Sequence, residues 1–387
     1  MMNSRQRLIA VLDGQIPDRV PISTYELIGY NSQAWENNDP SYARLMDVIR
    51  QKTDCVCMWE PSPKVDVQND AGDDIAMAAN AFLESSFPVD MDVETRREDK
   101  AVITHKTLHT PKGDLTQTTK VIDGVHTTWQ VEHWCKSLTD VDKALSVPFE
   151  PIDYDASDYA RIKGEVGDHG IIMATIADPL WLAADLMEFG EYTIWAMMET
   201  DHFATTVQIM HERTMENLKR QLDVCVVDLY RIAGPEYATP PFLPPRFFQQ
   251  FVVPYASEIV ELIHSKGAKV RLHSHGRIAQ VLDMILDTGA DAIDPCEAPP
   301  DGDITLADVK KRVGEEMCIF GNIQLKLLEA GTQEMVEEEV RKCMHAAKEG
   351  GGFVVMPTAA PIDTPLSSQT EENYLRFIEA VINYGQY

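Results

Sequence analysis

The stretch KVRLHSHGRIAQVLDMILDTGADAIDP, residues 269–295, changes its hydrophobic period twice. KVRLHSH (269–275) reads as a short strand. GRIAQVLDMILDTG (276–289) spaces its apolar residues as a helix does and stops on a glycine. ADAIDP (290–295) returns to a strand. A strand, a helix with a glycine stop and a second strand make one βα unit of a parallel sheet.

The unit recurs on both sides. DVCVVDLYRI (223–232) reads as a strand and FFQQFVVPYASEIVELIHSKG (247–267) as a helix. Downstream come a helix at 304–314, a strand at 315–323, a helix at 332–350, a strand at 351–358 and a helix at 367–385. The first half adds the strands RVPIST (19–24), TDCVCMW (53–59) and GIIMATIA (170–177). Strands at this spacing along both halves favour an α/β fold, a (β/α)8 TIM barrel, over an open doubly wound sheet. We expect one barrel domain over residues 1–387. Residues 62–135 break the rhythm. AVITHKTLHTPKGDLTQTTKV (101–121) alternates with period two about Pro111-Lys112-Gly113-Asp114, which predicts an antiparallel β-hairpin insertion.

The chain carries 34 basic and 62 acidic residues, a net charge of −28, which disfavours nucleic acid and anionic membrane as partners. No apolar run approaches a bilayer span. The first residues, MMNSRQRLIAVLDGQ, read as an amphipathic helix rather than a signal peptide, so a cytoplasmic location is expected. Cys55, Cys57, Cys135, Cys225, Cys296, Cys318 and Cys343 are odd in number and sit mostly in apolar runs, which argues against a disulfide framework.

In a barrel the chemistry sits at the C-terminal strand ends and in the loops after them. Those positions read Asp228-Leu-Tyr230, His273-Ser-His275-Gly276, Asp294-Pro-Cys296-Glu297, Gly321-Asn322 and Met356-Pro-Thr358, with Glu26, Glu60 and Asp178 added by the first half. His273 and His275 are two apart and share a strand face. They can ligate a metal, act as acid and base, or hydrogen-bond a substrate. Histidine, cysteine and glutamate at neighbouring strand ends are the usual zinc donors. His273, His275 and Glu297, with Cys296 behind it, are the expected ligands. Asp228, Tyr230 and Asn322 are expected to face the substrate. Gly276 lets backbone approach a ligand and opens a helix whose N-terminus suits anions, and Arg277 in that first turn suits a carboxylate or phosphate. Glu236 and Glu26 complete the expected substrate-binding set.

The run from Ala233-Gly234-Pro235-Glu236 through LPPRFFQQFVVPYASEIVELIHSKGAKVRLHSHGRI resembles the uroporphyrinogen decarboxylase superfamily. So do ADAIDPCEAPPDGDITLADVKKRVG, CIFGNIQ and GGGFVVMPTAAP. The resemblance covers essentially the whole chain and implies a barrel with its pocket at the C-terminal mouth. One branch decarboxylates the acetate arms of uroporphyrinogen without a cofactor. The other moves methyl groups between corrinoid proteins and thiols or related acceptors, using zinc.

The decarboxylase branch carries an arginine-rich loop near its N-terminus. The matching DRVPISTYELIGYNSQAWENNDP (18–40) holds only Arg19. The methyltransferase branch carries a TPxG hairpin and then a Lys-Ser/Thr-x-x-Asp helix start. Here these are Thr110-Pro111-Lys112-Gly113 and Lys136-Ser137-Leu138-Thr139-Asp140. That branch implies zinc held by a His-x-Cys step and a distal cysteine, where this chain has His273-Ser274-His275 and Thr358. The resemblance therefore implies a methyltransferase with a small-molecule substrate, zinc, and a cobalamin (corrinoid) cofactor or corrinoid protein partner. A homo-oligomer is compatible with it. A cofactor-independent lyase on a smaller acid and a non-catalytic corrinoid-protein partner are the alternatives.

Overall fold

The computed structural model describes residues 2–64 and 81–387. Residues 65–80 of the expected insertion lie outside the described residues. Contacts divide the chain into two compact units. One comprises Met1–Glu60, Ser157–Thr175 and Val227–Tyr387, the other Pro61–Ala156 and Ile176–Val226.

Numbered along the chain, the strands are β1 (Cys55–Met58), β2 (Asp90–Glu98), β3 (Ala101–Thr110), β4 (Gly113–Ile122), β5 (Thr128–Glu132), β6 (Gly170–Ala177), β7 (Leu229–Ala233), β8 (Lys269–His273), β9 (Ala292–Asp294), β10 (Cys318–Ile323) and β11 (Phe353–Pro357). The first unit is built on a curled sheet in the order β1-β6-β7-β8-β9-β10-β11, with the ladders parallel. Helices alternate with these strands, as the glycine stops predict.

Residues 19–24, expected as a strand, form only a bridge. Ile22 pairs in parallel with Val355. The Ser23 amide donates to Val355 O, and the Val355 amide to Pro21 O, each at 3.0 Å. On the other side the Asp54 amide donates to Ile22 O at 2.7 Å. This short segment therefore links β11 back to β1 and closes a TIM-barrel-like ring. Pro21 lacks an amide hydrogen, which helps to keep the closing strand short.

Asp54, fully buried beside this seam, accepts from Arg7 at 2.6 Å, Arg19 at 2.8 Å and the Ile22 amide at 2.8 Å. Arg19, the lone arginine of the 18–40 stretch, is thus part of the barrel's closure. At the start of β6, Gly170 has no side chain to spare: a Cβ there would stand 1.9 Å from the Cys55 carbonyl oxygen. Apolar β-branched residues fill the sheet, with Val270, Ile293, Ile319, Val354 and Val355 inaccessible to solvent. Asn3 caps the first helix, Ser4–Leu12, in a reciprocal box with Gln6. Thr305, Thr332 and Ser367 cap the helices Leu306–Val313, Gln333–Ala347 and Ser368–Tyr384.

The second unit holds an antiparallel sheet, β2-β3-β4-β5, with the expected turn between Thr110 and Gly113. It also holds the helices Pro179–Ala184, Phe189–Met198 and Thr200–Val224. Among the described residues no helix is long and apolar enough to cross a membrane.

Two expected boundaries move. The stretch 223–232 is not one strand: the preceding helix runs through Val224, and β7 begins at Leu229. The helix expected over 276–289 is a single 3-10 turn, Ile278–Gln280, followed by Leu282–Asp287. In both places a β-branched or apolar run gave the right neighbourhood and the wrong edge.

Candidate active site

β8 ends in His273, which is buried, and His275 follows it into the loop, 36% exposed at the side chain. Their rings meet edge to face with centroids 4.7 Å apart. Each imidazole is tied through Nδ1 to a carboxylate from the next strand end. His273 Nδ1 lies 3.0 Å from Asp294 Oδ2, at the last residue of β9. His275 Nδ1 lies 3.3 Å from Glu297 Oε1. The register explains the first pair, since His273 and Asp294 are direct Cα partners. Such a tie fixes tautomer and ring orientation and leaves Nε2 to a ligand.

Gly276 seats the second pair. Its φ is +89°, a left-handed conformation that suits glycine, and its amide donates to Glu297 Oε2 at 2.8 Å. Thr239 Oγ1 donates to the His275 carbonyl at 3.3 Å and to the Glu236 carbonyl at 2.7 Å. Glu236 itself accepts from the Gly234 amide at 3.1 Å.

The sequence reading missed two arginines beneath these histidines. Arg271 is fully buried on the face of β8 that carries His273. Its guanidinium stacks 5.0 Å from the Phe320 ring and its Nη1 lies 3.9 Å from Met356 Sδ. Those residues stand on β10 and β11, which are not neighbours of β8, so the side chain crosses the barrel interior. Arg271 Nε is 2.8 Å from Asp294 Oδ1. Arg231 is its Cα partner on β7 and donates to Tyr25 Oη at 3.2 Å. Arg231 also lies 3.6 Å from Glu26 Oε1. The Tyr25 ring sits 6.3 Å from that of His273.

The charges follow from these contacts. Burial raises the Asp294 pKa, but Arg271, His273 and Arg231 more than offset it and hold the carboxyl at about 2. Burial lowers the His275 pKa, yet Glu297, with Glu236 and Asp294 further off, raises it overall. Glu297 is correspondingly lowered: burial opposes this, and His275 and the Gly276 amide drive it. Burial also pushes the Tyr25 phenol up.

The other expected residues divide. Asn322, near the end of β10, is buried, and its Oδ1 has no hydrogen-bond partner among the described residues. Asp228 is at the opposite end of the barrel. It precedes β7, accepts from the Ile172 amide at 3.0 Å and is gripped by both Nη atoms of Arg5. Tyr230 is buried and turns back to the same end, where its hydroxyl accepts from the Val227 amide at 3.2 Å. The expectation that Asp228 and Tyr230 face the substrate is corrected: with β7 starting at Leu229, both belong to the strand's beginning rather than its end. Arg277 is exposed and precedes the 3-10 turn rather than standing in the first turn of a helix. Glu60 accepts from the Thr175 amide at 3.3 Å. Asp178 caps the helix Pro179–Ala184.

Among the described residues no group of three or more His, Cys, Asp or Glu side chains is arranged to hold a metal ion. The donor chemistry explains this. Both oxygens of Glu297 are engaged, one by His275 and one by the Gly276 amide. Cys296 is fully buried, and burial pushes its thiol pKa well up. Thr358 is buried, its hydroxyl accepting from the Leu325 amide at 3.3 Å. The expected zinc set of His273, His275, Glu297 and Cys296 is not assembled, and the residues present do not fit a closed zinc site. A surface groove of about 310 Å³ lies elsewhere, between the helices Ala43–Lys52 and Ser368–Tyr384, and holds none of these residues.

Comparison with known proteins gives this barrel relatives. Residues 121–384 match the family described as uroporphyrinogen decarboxylase (URO-D). The methylcobamide:CoM methyltransferase MtaA of Methanosarcina barkeri is 26% identical over 210 residues, covering 54% of this chain and 58% of that protein. The uroporphyrinogen decarboxylase of Pseudoalteromonas atlantica is 30% identical over 147 residues, 37% of this chain and 38% of its own length. The chain therefore spans little more than half the length of the MtaA relative. Among solved structures, a methyltransferase from Methanosarcina mazei superposes with a TM-score of 0.62 at 16% identity over 99% of both chains, which speaks to the fold. With the family model covering more than half of its residues, the chain belongs to the uroporphyrinogen decarboxylase family.

Proposed function

We propose that the protein transfers a methyl group between a methylated corrinoid, carried by a partner protein, and a small nucleophilic acceptor bound at the barrel mouth. The observation that carries the reading is the pair of histidine–carboxylate couples, His273–Asp294 and His275–Glu297, set above Arg231 and the buried Arg271. The similarity to MtaA of Methanosarcina barkeri supports the methyl chemistry.

In this reading the bond from the methyl carbon to its donor breaks, and its electron pair stays with the donor. A bond forms from carbon to the acceptor's nucleophilic atom. The proton that the acceptor loses passes to Nε2 of His273, whose Nδ1 side is fixed by Asp294. His275, its cationic form favoured by Glu297, stabilises the negative charge that develops on the acceptor. Zinc has no part in this scheme, because the donor set for it is incomplete.

The test is spectroscopic. Methylcobalamin is mixed with the protein and a panel of small thiols, alcohols and phenols, and loss of the methylcobalamin absorption is followed. We expect turnover with at least one acceptor and a fall of about a hundred-fold in His273→Gln, the typical weight of one general base. No transfer to any acceptor, or transfer untouched by His273→Gln, sinks the reading.

A second reading, decarboxylation of a small acid, is favoured by one observation. Two guanidinium groups stand inside the barrel, where they suit a carboxylate. Incubation with uroporphyrinogen should still give no coproporphyrinogen, since Arg19 is committed to Asp54 and cannot serve a multiply charged substrate. Turnover of uroporphyrinogen would overturn that argument, and carbon dioxide release from a small acid without methylcobalamin would replace the first reading with the second.

A further inference from the structure

Arg231 and Arg271 are adjacent on the sheet, yet their surroundings differ. Arg271 is inaccessible, and its charge is balanced by the equally buried Asp294. Arg231 has only a loose counter-ion. Glu26 stands 3.6 Å away and is 45% exposed, while the Arg231 side chain is 12% exposed. Its Nε is buried with no hydrogen-bond partner among the described residues, and the same holds for Arg271 Nη2, Ser274 Oγ and Asn322 Oδ1. Orphaned buried polar atoms are uncommon in a finished core, and four of them gathered here give a ligand bonding to complete. Tyr25, which accepts from Arg231 through its hydroxyl, holds a left-handed backbone at φ 56°, uncommon for a tyrosine.

We propose that Arg231 is the residue that recognises a carboxylate on the ligand of this site, and that Glu26 is a built-in competing anion that the ligand displaces. The inference deepens the methyl-transfer reading by giving its acceptor a carboxylate, and rests on that reading only for the ligand's other end. A guanidinium fork matches a planar carboxylate through two parallel hydrogen bonds. At 3.6 Å and nearly half exposed, Glu26 makes a poor bond of this sort and returns to water at little cost. Arg271 stays paired with Asp294, which leaves Arg231 as the cation open to the ligand. The ligand's reactive end then lies toward His273, whose ring is 6.3 Å from that of Tyr25.

Binding of propionate to the full chain, measured by titration calorimetry, tests this without any methyl transfer. Propionamide is the neutral control and ethanesulfonate the non-planar anion. We expect propionate to bind, propionamide not to bind, and ethanesulfonate to bind more weakly than propionate. Glu26→Gln should tighten propionate by about three- to five-fold, the weight of one half-exposed ion pair. Arg231→Met should weaken it by about ten- to a hundred-fold, the weight of a charge-assisted bond. Adding Glu26→Gln to Arg231→Met should then change nothing. Arg231→Lys keeps the cation and covers the case in which Arg231→Met fails to fold; it should bind with intermediate strength. Unchanged or weaker binding in Glu26→Gln, or full-strength binding without Arg231, overturns the proposal. Loss of methyl transfer with propionate binding intact would instead count against the functional reading alone.

Discussion

His273 and Asp294 are direct partners across β8 and β9, joined at 3.0 Å, and the same carboxylate faces Arg271 at 2.8 Å. One buried anion thus orients a candidate base and neutralises a buried cation. A carboxylate in that position cannot be altered for one purpose without affecting the other.

Asp294→Asn should therefore be strongly destabilising. It leaves the Arg271 charge buried without its counter-ion, a change that typically costs about 3–5 kcal/mol. Urea denaturation of the two proteins measures it. The double variant with Arg271→Met should recover a large part of the loss, because it removes the stranded charge. A cost below about 1 kcal/mol in Asp294→Asn would show that water or a shifted side chain compensates Arg271.

The pair His275–Glu297 predicts a pH window. The His275 pKa is raised above its ordinary 6.5, so its contribution is fully present below 6.5 and is lost as pH rises through the folded value. The Glu297 pKa is lowered below its ordinary 4.5, so its contribution is present above 4.5 and is lost as pH falls through the folded value. The stability difference between the protein and His275→Ala should thus be largest between pH 4.5 and 6.5 and shrink on either side. Denaturation curves at a series of pH values check this. A difference that grows steadily above pH 7 would mean that the pair is not ionised as described.

Zinc should bind loosely. With the Glu297 oxygens engaged and Thr358 a hydroxyl, dialysis against a chelator should leave the thermal midpoint within about 1 °C. A fall of many degrees, restored by zinc, would show that His273 and His275 recruit further donors when the ion arrives.

The barrel was legible because its signals are local. Glycine stops and β-branched runs mark each βα unit, and the TPKG turn marks the antiparallel addition. Asp228 and Tyr230 were misplaced because DVCVV has strand composition while the long helix from Thr200 claims its first two residues. The site itself was half legible. His273 and His275 announce themselves by spacing. Their carboxylate partners do not, because the pairing depends on how β9 aligns with β8. Arg271 carried a readable signal that was passed over: a charged residue inside KVRLH shares its face with His273. Arg231 in DLYRIA sits on the partner strand at the matching level, which only the register reveals.

The seam at Ile22 has a consequence for biosynthesis. The bridge joins Pro21–Ser23, made early on the ribosome, to Val355, made after nearly all other strands. Every other strand-to-strand contact in the ring can form as soon as its neighbour emerges, but this one has to wait. The nascent protein therefore carries an open, curled sheet with two uncovered edges from the completion of β6 until β11 is made. The Asp54 carboxylate, already bonded to Arg7, Arg19 and the Ile22 amide, can hold the waiting segment in place until β11 arrives.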